Sequence, residues 1–215
     1  MMCFLYKNLR GFCLSTMLIG VAITAAEQNP DVYAATAEQR ALKISAMLAL
    51  TDPAQSTRVR AFISRHYVDL HELQAWRDSG MAAAKAHADK ATVAAALADC
   101  KATYDAKLAS LHRSYLARLA LELTPEQINL VKDGHTYGVL PLTFRVYQQM
   151  LPQLTSDQKA KILTLLTEAR EQAMDAGSST EKHAWFGKYK GKINNYLSSE
   201  GYNMKQAEKN LVAPH

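Results

Sequence analysis

The sequence has few of the residues that interrupt helices or cross-link a chain. It contains 9 glycines, 6 prolines and 3 cysteines in 215 residues. Glycine and proline at this level exclude a low-complexity, disordered chain. No stretch alternates apolar and polar side chains convincingly over the length of a β-strand, so strands are not expected. These absences favour an all-α fold.

Motifs of common catalytic and metal centres are also absent. The 7 histidines are scattered, with no H-E-x-x-H, C-x-x-C, G-x-S-x-G or phosphate-binding loop. His66 and His71 lie about 140° apart around a helix, so they cannot easily share a metal. We therefore predict no catalytic residue, no metal and no cofactor. Four acidic residues are expected on the surface: Asp78, Asp133, Glu168 and Asp175.

The N-terminus has the pattern of a secretory signal peptide. Lys7 and Arg10 form a positive start, residues 12–23 are apolar, and residues 24–26 are small, as signal peptidase requires. The apolar run is shorter than the roughly 20 residues that span a bilayer. We predict cleavage after Ala26 and an exported protein, periplasmic or secreted, with no remaining membrane anchor.

Removal of this peptide changes the cysteine count and the charge. Cys3 and Cys13 leave with it, so Cys100 has no partner for an internal disulfide. We interpret Cys100 as a buried, unreactive thiol; the alternatives are a catalytic cysteine or an intermolecular bridge. The formal charge falls from +5 to +3, too little for nucleic-acid binding. One domain is expected over residues 27–215, with residues 27–35 loose.

Capping boxes mark six helix starts. In this motif a Ser, Thr, Asp or Asn accepts a backbone hydrogen bond, and a Glu or Gln three residues later returns one. The pairs are Thr36/Gln39, Asp52/Gln55, Thr124/Gln127, Thr155/Gln158, Ser178/Glu181 and Asn203/Gln206. Stops are predicted at Gly80, Gly134, Gly177 and Gly201, and a further helix from about Pro141 to Met150.

The two longest predicted helices should form an antiparallel hairpin. The first runs from Pro53 to about Asp78 and the second from Met81 to Leu121. An 11-residue apolar repeat keeps the stripe of the second helix nearly straight. This stripe consists of Val93, Leu97, Cys100, Tyr104, Leu108, Leu111, Tyr115 and Leu119. In the stripe of the first helix we interpret His66 as a hydrogen-bonded core residue, with ligand binding as the alternative.

A later helix, from Ser156 to Ala176, has one apolar and one charged face. Its apolar positions are Ile162, Leu165, Leu166, Ala169 and Ala173. Glu168, Arg170 and Glu171 are expected on a solvated face with local ion pairs.

The segment from Ser178 to Met204 is predicted to organise the fold. Its apolar face consists of Trp185, Phe186, Tyr189, Ile193, Tyr196 and Leu197. Gly187 and Gly191 lie opposite, flanked by His183, Asn194 and Asn195. Because glycine costs about 1 kcal/mol in a helix interior, the pair predicts that another helix or a ligand approaches the backbone closely there.

Two other places carry site-like residues. The loop of residues 134–138 sets His135, a threonine and Tyr137 between glycines, and loops on a rigid scaffold often carry function. The alternative is a tight connection whose tyrosine fills the core. Trp76 and Arg77 lie beside Asp78 and combine an aromatic ring with a donor and an acceptor, although a tryptophan at a helix end also serves packing.

The run W-F-G-K-Y-K-G-K-I-N-N-Y-L, residues 185–197, and the helix start L-T-D-P-A-Q-S-T-R-V-R-A-F-I, residues 50–63, resemble a family of exported bacterial all-helical proteins of unknown function that are described as sugar-binding. This resemblance extends over the mature chain and implies sugar binding, but it supplies no established site. Residues 123–127 and 154–158 also resemble the L-T-x-x-Q motif of periplasmic proteins of the Spy and CpxP type. The same motif is a capping box preceded by an apolar residue.

Two functions are consistent with these observations. The first is a non-catalytic protein that binds mono- or oligosaccharides at the cell envelope, which requires aromatic rings and planar polar groups in one pocket. The residues expected there are His135, Tyr137, His183, Lys188, Asn194 and Asn195, with Trp76 and Arg77 as further candidates. The alternative is a periplasmic helical-hairpin chaperone or stress-sensing protein with a broad apolar groove.

Overall fold

The computed structural model describes residues 30–87 and 89–212. This part of the chain contains eight α-helices and no β-strand, which confirms the predicted all-α fold. The helices are α1 (Pro30–Ala46), α2 (Pro53–Lys85), α3 (Lys90–Ala120), α4 (Pro125–His135), α5 (Val139–Met150), α6 (Ser156–Ala173), α7 (Ser179–Ser199) and α8 (Met204–Val212). None of these eight combines the length and the apolar character that a membrane span needs. The predicted signal peptide lies outside the described residues.

Most of the predicted helix caps are observed. Three capping boxes have both hydrogen bonds: Thr124 with Gln127, Thr155 with Gln158, and Ser178 with Glu181. The Asn203 side chain accepts from the Gln206 backbone N–H at 3.1 Å. Asp52 caps α2 through the N–H of Ala54 at 2.9 Å, but Gln55 donates to the Glu122 carbonyl instead of returning a bond.

The start of α1 differs from the prediction. The helix begins at Pro30, so Thr36 lies inside it and residues 30–35 are helical, where a loose segment was predicted. Ala37, Ala41 and Ile44 are all less than 5% exposed. Their spacing of four and three residues places them on one helix face, and burial of this face stabilises the helix. The capping signal at Thr36 therefore predicted the wrong starting residue.

Helices α2 and α3 form the predicted antiparallel hairpin. Near the open end, Arg58 Nε donates to Glu122 Oε1 at 2.6 Å. Near the closed end, Gly80 of α2 lies against Cys100 of α3. Every position of the predicted stripe in α3 is buried or half-buried.

The predicted stop at Gly80 is wrong, because α2 continues to Lys85. A Cβ atom at Gly80 would lie 2.9 Å from Cys100 Sγ. The glycine therefore permits the two helices to approach and does not end the first one. Cys100 itself is half-buried, and its thiol lies 3.7 Å from the carbonyl oxygen of Arg77.

The main apolar core lies among α5, α6, α7 and α8. The predicted faces of α6 and α7 are confirmed: Ile162, Leu165, Leu166, Ala169, Ala173, Phe186, Tyr189, Ile193 and Leu197 are buried, while Trp185 and Tyr196 are partly buried. Helix α7 packs along α6, α5 contacts α6, and α8 contacts both α5 and α7.

Of the two alternatives for Gly187 and Gly191, the approach of another helix is wrong. A Cβ atom built at either position has no described atom within 4 Å. The close approach occurs instead at Gly134, where a Cβ would lie 2.9 Å from Cγ1 of the buried Ile44. The sequence shows which glycines share a bare helix face, but not which face another helix covers.

This contrast predicts opposite effects of alanine at two helical glycines. Gly191→Ala should stabilise the protein by roughly 0.5–1 kcal/mol, because it adds a helix-favouring residue in open space. Gly134→Ala should destabilise it by roughly 1–3 kcal/mol, because the stiff Ile44 side chain must move. Urea unfolding of both variants measures the difference. Equal effects would contradict the packing described at these positions.

Candidate functional site

The connection between α4 and α5 turns one aromatic ring inward and one outward. His135 and Thr136 are 0% exposed, whereas Tyr137 is 60% exposed. Tyr137 and Gly138 both have left-handed backbone angles, with φ of 57° and 66°, and the Gly138 N–H donates to the Asp133 carbonyl at 2.8 Å. The interpretation in which the tyrosine fills the core is therefore wrong, because His135 fills it.

Tyr137 and His183 form an aromatic pair on the surface. Their ring centroids are 6.1 Å apart and the rings are within 18° of parallel. His183 is exposed and lies in the second turn of α7, where its Nδ1 is 2.6 Å from the carbonyl oxygen of Ser179. Since a carbonyl only accepts, this Nδ1 donates, which leaves Nε2 for another hydrogen-bond partner. We call these two residues the surface pair.

The other predicted site residues lie elsewhere. Lys188 Nζ lies over the Trp185 ring at 4.8 Å, and Asn195 is exposed. Asn194 accepts a hydrogen bond from the Tyr147 hydroxyl at 2.7 Å, so its amide oxygen serves the junction of α5 and α7.

Trp76 and Arg77 are on the hairpin. Trp76 is 41% exposed, and Lys107 lies 5.5 Å from its ring centroid. Arg77 donates to Asp78 at 2.8 Å and lies 5.0 Å from the Tyr104 ring centroid. Convergence of all eight predicted residues on one pocket is therefore not observed; the structure brings Tyr137 and His183 together.

A carboxylate that sequence reasoning placed on the surface is buried between two histidines. Asp175 is 6% exposed. Its Oδ2 accepts from His112 Nδ1 at 2.6 Å, and its Oδ1 lies 3.2 Å from His66 Nε2. Burial favours the neutral acid, but the hydrogen bonds from the two histidines outweigh it and lower the pKa of Asp175 to about 2.

The pKa values of the two histidines are shifted in opposite directions. Burial lowers the pKa of His66, which is 2% exposed. The hydrogen bond to Asp175 raises the pKa of the more exposed His112. The arrangement therefore holds an anionic Asp175 between His66, whose neutral form is favoured, and His112, whose protonated form is favoured. The prediction of His66 as a hydrogen-bonded core residue is confirmed.

The same buried region continues to α4 and α7. The Tyr115 ring stacks on His66 at 3.8 Å between centroids, and its hydroxyl lies 2.7 Å from His135 Nε2. Burial lowers the pKa of His135 far below its ordinary value and raises that of Tyr115 well above 10. His135 is therefore neutral, and its ring is part of the interior.

Lys182 ties this region to the loop that carries Tyr137. It is 6% exposed, and its ammonium donates to the carbonyl oxygens of His135 and Met174, both at 3.1 Å. Burial lowers its pKa to about 8. Two consecutive residues of α7 thus contact this loop. The buried Lys182 binds the His135 carbonyl, and the exposed His183 lies beside the Tyr137 ring. We call His66, His112, Tyr115, His135, Asp175 and Lys182 the buried cluster.

The predicted solvated face of α6 is wrong for Arg170. This side chain is 7% exposed and donates to Asp133 Oδ1 at 2.8 Å and to Asn129 Oδ1 at 2.7 Å. Glu171 binds Lys132 at 2.7 Å. These contacts join α6 to α4 and hold α4 in place beneath the Tyr137 loop.

Sequence reasoning missed Lys182 and Asp175. Lys182 continues the buried stripe of α7 one turn back from Phe186, so its spacing was a signal. Asp175 follows the end of α6, where no periodicity marks the interior. Among the described residues, no group of histidine, cysteine and acidic side chains could hold a metal ion.

The fold and these contacts define a class of all-α protein with a helical hairpin, a buried histidine–aspartate–lysine cluster and an exposed aromatic pair. A family model described as "Protein of unknown function (DUF3826)" matches residues 34–213. The chain belongs to this family, which confirms the predicted membership in a family of unknown function. No curated protein matches the chain.

Proposed function

We propose that this protein is an exported, non-catalytic protein that binds carbohydrate at the cell envelope through the surface pair. The observation that carries the proposal is the exposed ring of Tyr137, stacked on His183. Sugar rings offer apolar faces that pack on aromatic rings, and hydroxyls that need hydrogen-bond partners. The ring nitrogen Nε2 of His183 can pair with such a hydroxyl.

Binding without catalysis agrees with the position of the titratable groups. Asp175, His135 and Lys182 have shifted pKa values, which often mark catalytic sites. All three, however, are less than 9% exposed and make hydrogen bonds within the protein. Their contacts hold the loop of Tyr137, so we assign them a role in positioning the surface pair.

The backbone of Tyr137 supports a role for its ring. A non-glycine residue with left-handed angles costs on the order of 1–3 kcal/mol, and such residues cluster at functional sites. Glycine or asparagine would adopt φ of 57° with less strain. Because the Tyr137 ring is exposed, packing does little to offset this strain. A contact with a ligand therefore accounts better for a tyrosine at this position.

Tyr137→Asn should therefore separate binding from stability. Asparagine tolerates the left-handed backbone, so the free energy of unfolding should stay equal or rise by about 1 kcal/mol. Glycan binding should be lost with the ring. The measurement is a thermal-shift screen against mono- and oligosaccharides, where a ligand at about 100 times its Kd adds about 2.7 kcal/mol.

Trp76→Ala is the matched control, since it removes another exposed aromatic ring that lies on the hairpin. It should leave glycan binding intact. Loss of binding in Trp76→Ala but not in Tyr137→Asn would move the site to the hairpin and contradict the assignment to the surface pair.

The chaperone alternative requires a broad apolar groove. The exposed large apolar side chains are spread over many elements. They are Val32 and Leu42 in α1, Met47 just after it, Trp76 in α2, Leu121 after α3, Leu130 in α4, Tyr137 after it, Leu142 in α5 and Leu163 in α6. This distribution favours carbohydrate binding over capture of unfolded chains. No thermal shift with any glycan, together with suppressed aggregation of an unfolded client, would support the chaperone.

A further inference from the structure

The surface pair continues along one row of α7. His183, Gly187 and Lys190 are four and three residues apart, so they lie on one face of the helix. Side chains in a helix lean toward its N-terminus, so Lys190 belongs to the helix turn that follows Gly187 on the same side as His183. Gly187 has no described atom within 4 Å of its Cβ position, so this turn is open.

Lys190 is a half-buried lysine of α7, and its ammonium has no hydrogen-bond or ion-pair partner among the described residues. Lys188 and Lys192 lie over aromatic rings, 4.8 Å from the Trp185 centroid and 4.2 Å from the Tyr189 centroid. Lys182 donates to two backbone carbonyls. Lys190 makes no ion pair or hydrogen bond with a described residue, and burial alone lowers its pKa, without a contribution from a charged neighbour.

We infer that Lys190 binds the carboxylate of an acidic sugar whose ring packs on Tyr137 and His183. This inference rests on the proposed function and narrows its ligand to uronic-acid glycans. A partly desolvated ammonium without an anion is unfavourable, and a carboxylate supplied by the ligand compensates it by a charge-assisted hydrogen bond. The open turn at Gly187 leaves room for the sugar between the rings and the ammonium.

The test compares hexagalacturonate with its methyl ester, in which the carboxylates are neutral. Calorimetric titration of the exported protein should give a Kd at least about tenfold lower for the acid than for the ester, equivalent to 1.4 kcal/mol. In Lys190→Met, which keeps the length of the side chain, the ratio of the two Kd values should fall close to one. In the control Lys188→Met, on the same helix, the ratio should be unchanged.

Thermal unfolding keeps this test independent of folding. Because no described residue pairs with its ammonium, Lys190→Met should unfold at the same temperature as the natural protein or higher. An unchanged Kd ratio in Lys190→Met, or equal binding of acid and ester by the natural protein, would overturn the inference.

Failure of the charge inference can be told apart from failure of the proposed function. Binding of neutral glycans that is lost in Tyr137→Asn, with no preference for the acid, would refute the role of Lys190 and keep the carbohydrate proposal. Absence of binding to acidic, esterified and neutral glycans would refute both.

Discussion

Replacement of Asp175 by alanine is expected to destabilise the protein by about 3–5 kcal/mol. The carboxylate accepts from His112 Nδ1 at 2.6 Å and lies 3.2 Å from His66 Nε2. Its removal leaves the buried Nε2 of His66 without a partner, and Nδ1 of the same ring already has none among the described residues. An imidazole that loses its last hydrogen bond in the interior bears the full cost of desolvation.

The Asp175 contacts also join distant segments. His66 is in α2, His112 is in α3, and Asp175 follows α6, so this carboxylate fixes the hairpin to the C-terminal helices. Asp175→Asn should cost less than alanine, because the amide oxygen still accepts one bond while the negative charge is lost. Urea unfolding of both variants, followed by circular dichroism, measures the differences.

An exposed carboxylate on the hairpin provides the control. Asp105 pairs with Lys101 one helical turn away, and the two side chains are 53% and 75% exposed. Asp105→Ala should cost no more than about 0.5 kcal/mol, because solvent screens such pairs. If Asp175→Ala were as mild as Asp105→Ala, the buried cluster would contribute little to the association of the hairpin with the other helices.

The helices were largely predictable because their signals are local. The box residues Thr124, Thr155 and Ser178 mark helix starts, and they need only residues within one turn. The stripe of α3 and the apolar face of α7 follow from spacing alone. The helix end predicted at Gly80 was wrong because the sequence does not distinguish a glycine that ends a helix from one that lets a neighbouring helix pack closely.

The candidate site was less predictable because burial of polar groups is decided by tertiary contacts. His135 was predicted to meet a ligand because it lies between glycines, yet it shares a face of α4 with the buried Val131, four residues earlier. Reading Gly134 as a helix end concealed that spacing. Arg170 is a charged residue that is buried, and Asp133 and Asn129 accept hydrogen bonds from its two terminal nitrogens. No periodicity in a single sequence reports such pairing.

The stability of the protein should fall steeply on mild acidification. Burial lowers the pKa of both His135 and His66. Below the ordinary histidine pKa of about 6.5, the unfolded chain therefore binds protons that the folded protein excludes, and stability decreases as pH falls. His135, whose pKa is lowered far below its ordinary value, contributes a limiting slope of about 1.4 kcal/mol per pH unit, and His66 adds to it in the same direction.

His112 has the opposite effect on the pH dependence of stability. Its pKa is raised by the hydrogen bond to Asp175, so its stabilising contribution is complete below about 6.5 and is lost as pH rises through the folded value. The low pKa of Asp175, about 2, adds a loss of stability only in strong acid. At pH 6.5 the two histidines with lowered pKa outweigh His112, so stability should still rise with pH there and change less steeply above it.

Urea unfolding between pH 5 and pH 8 tests this expectation, and His135→Gln identifies the residue responsible for part of the acid limb. Glutamine can still accept from the Tyr115 hydroxyl but does not titrate, so the acid slope should decrease by about 1.4 kcal/mol per pH unit, one proton's worth. In the folded natural protein, the imidazole signals in nuclear magnetic resonance should show His112 titrating above 6.5 and His135 unchanged in mild acid. An acid slope that is the same in His135→Gln would mean that His135 is protonated inside the fold, and the buried cluster would then have to carry a further positive charge close to Lys182.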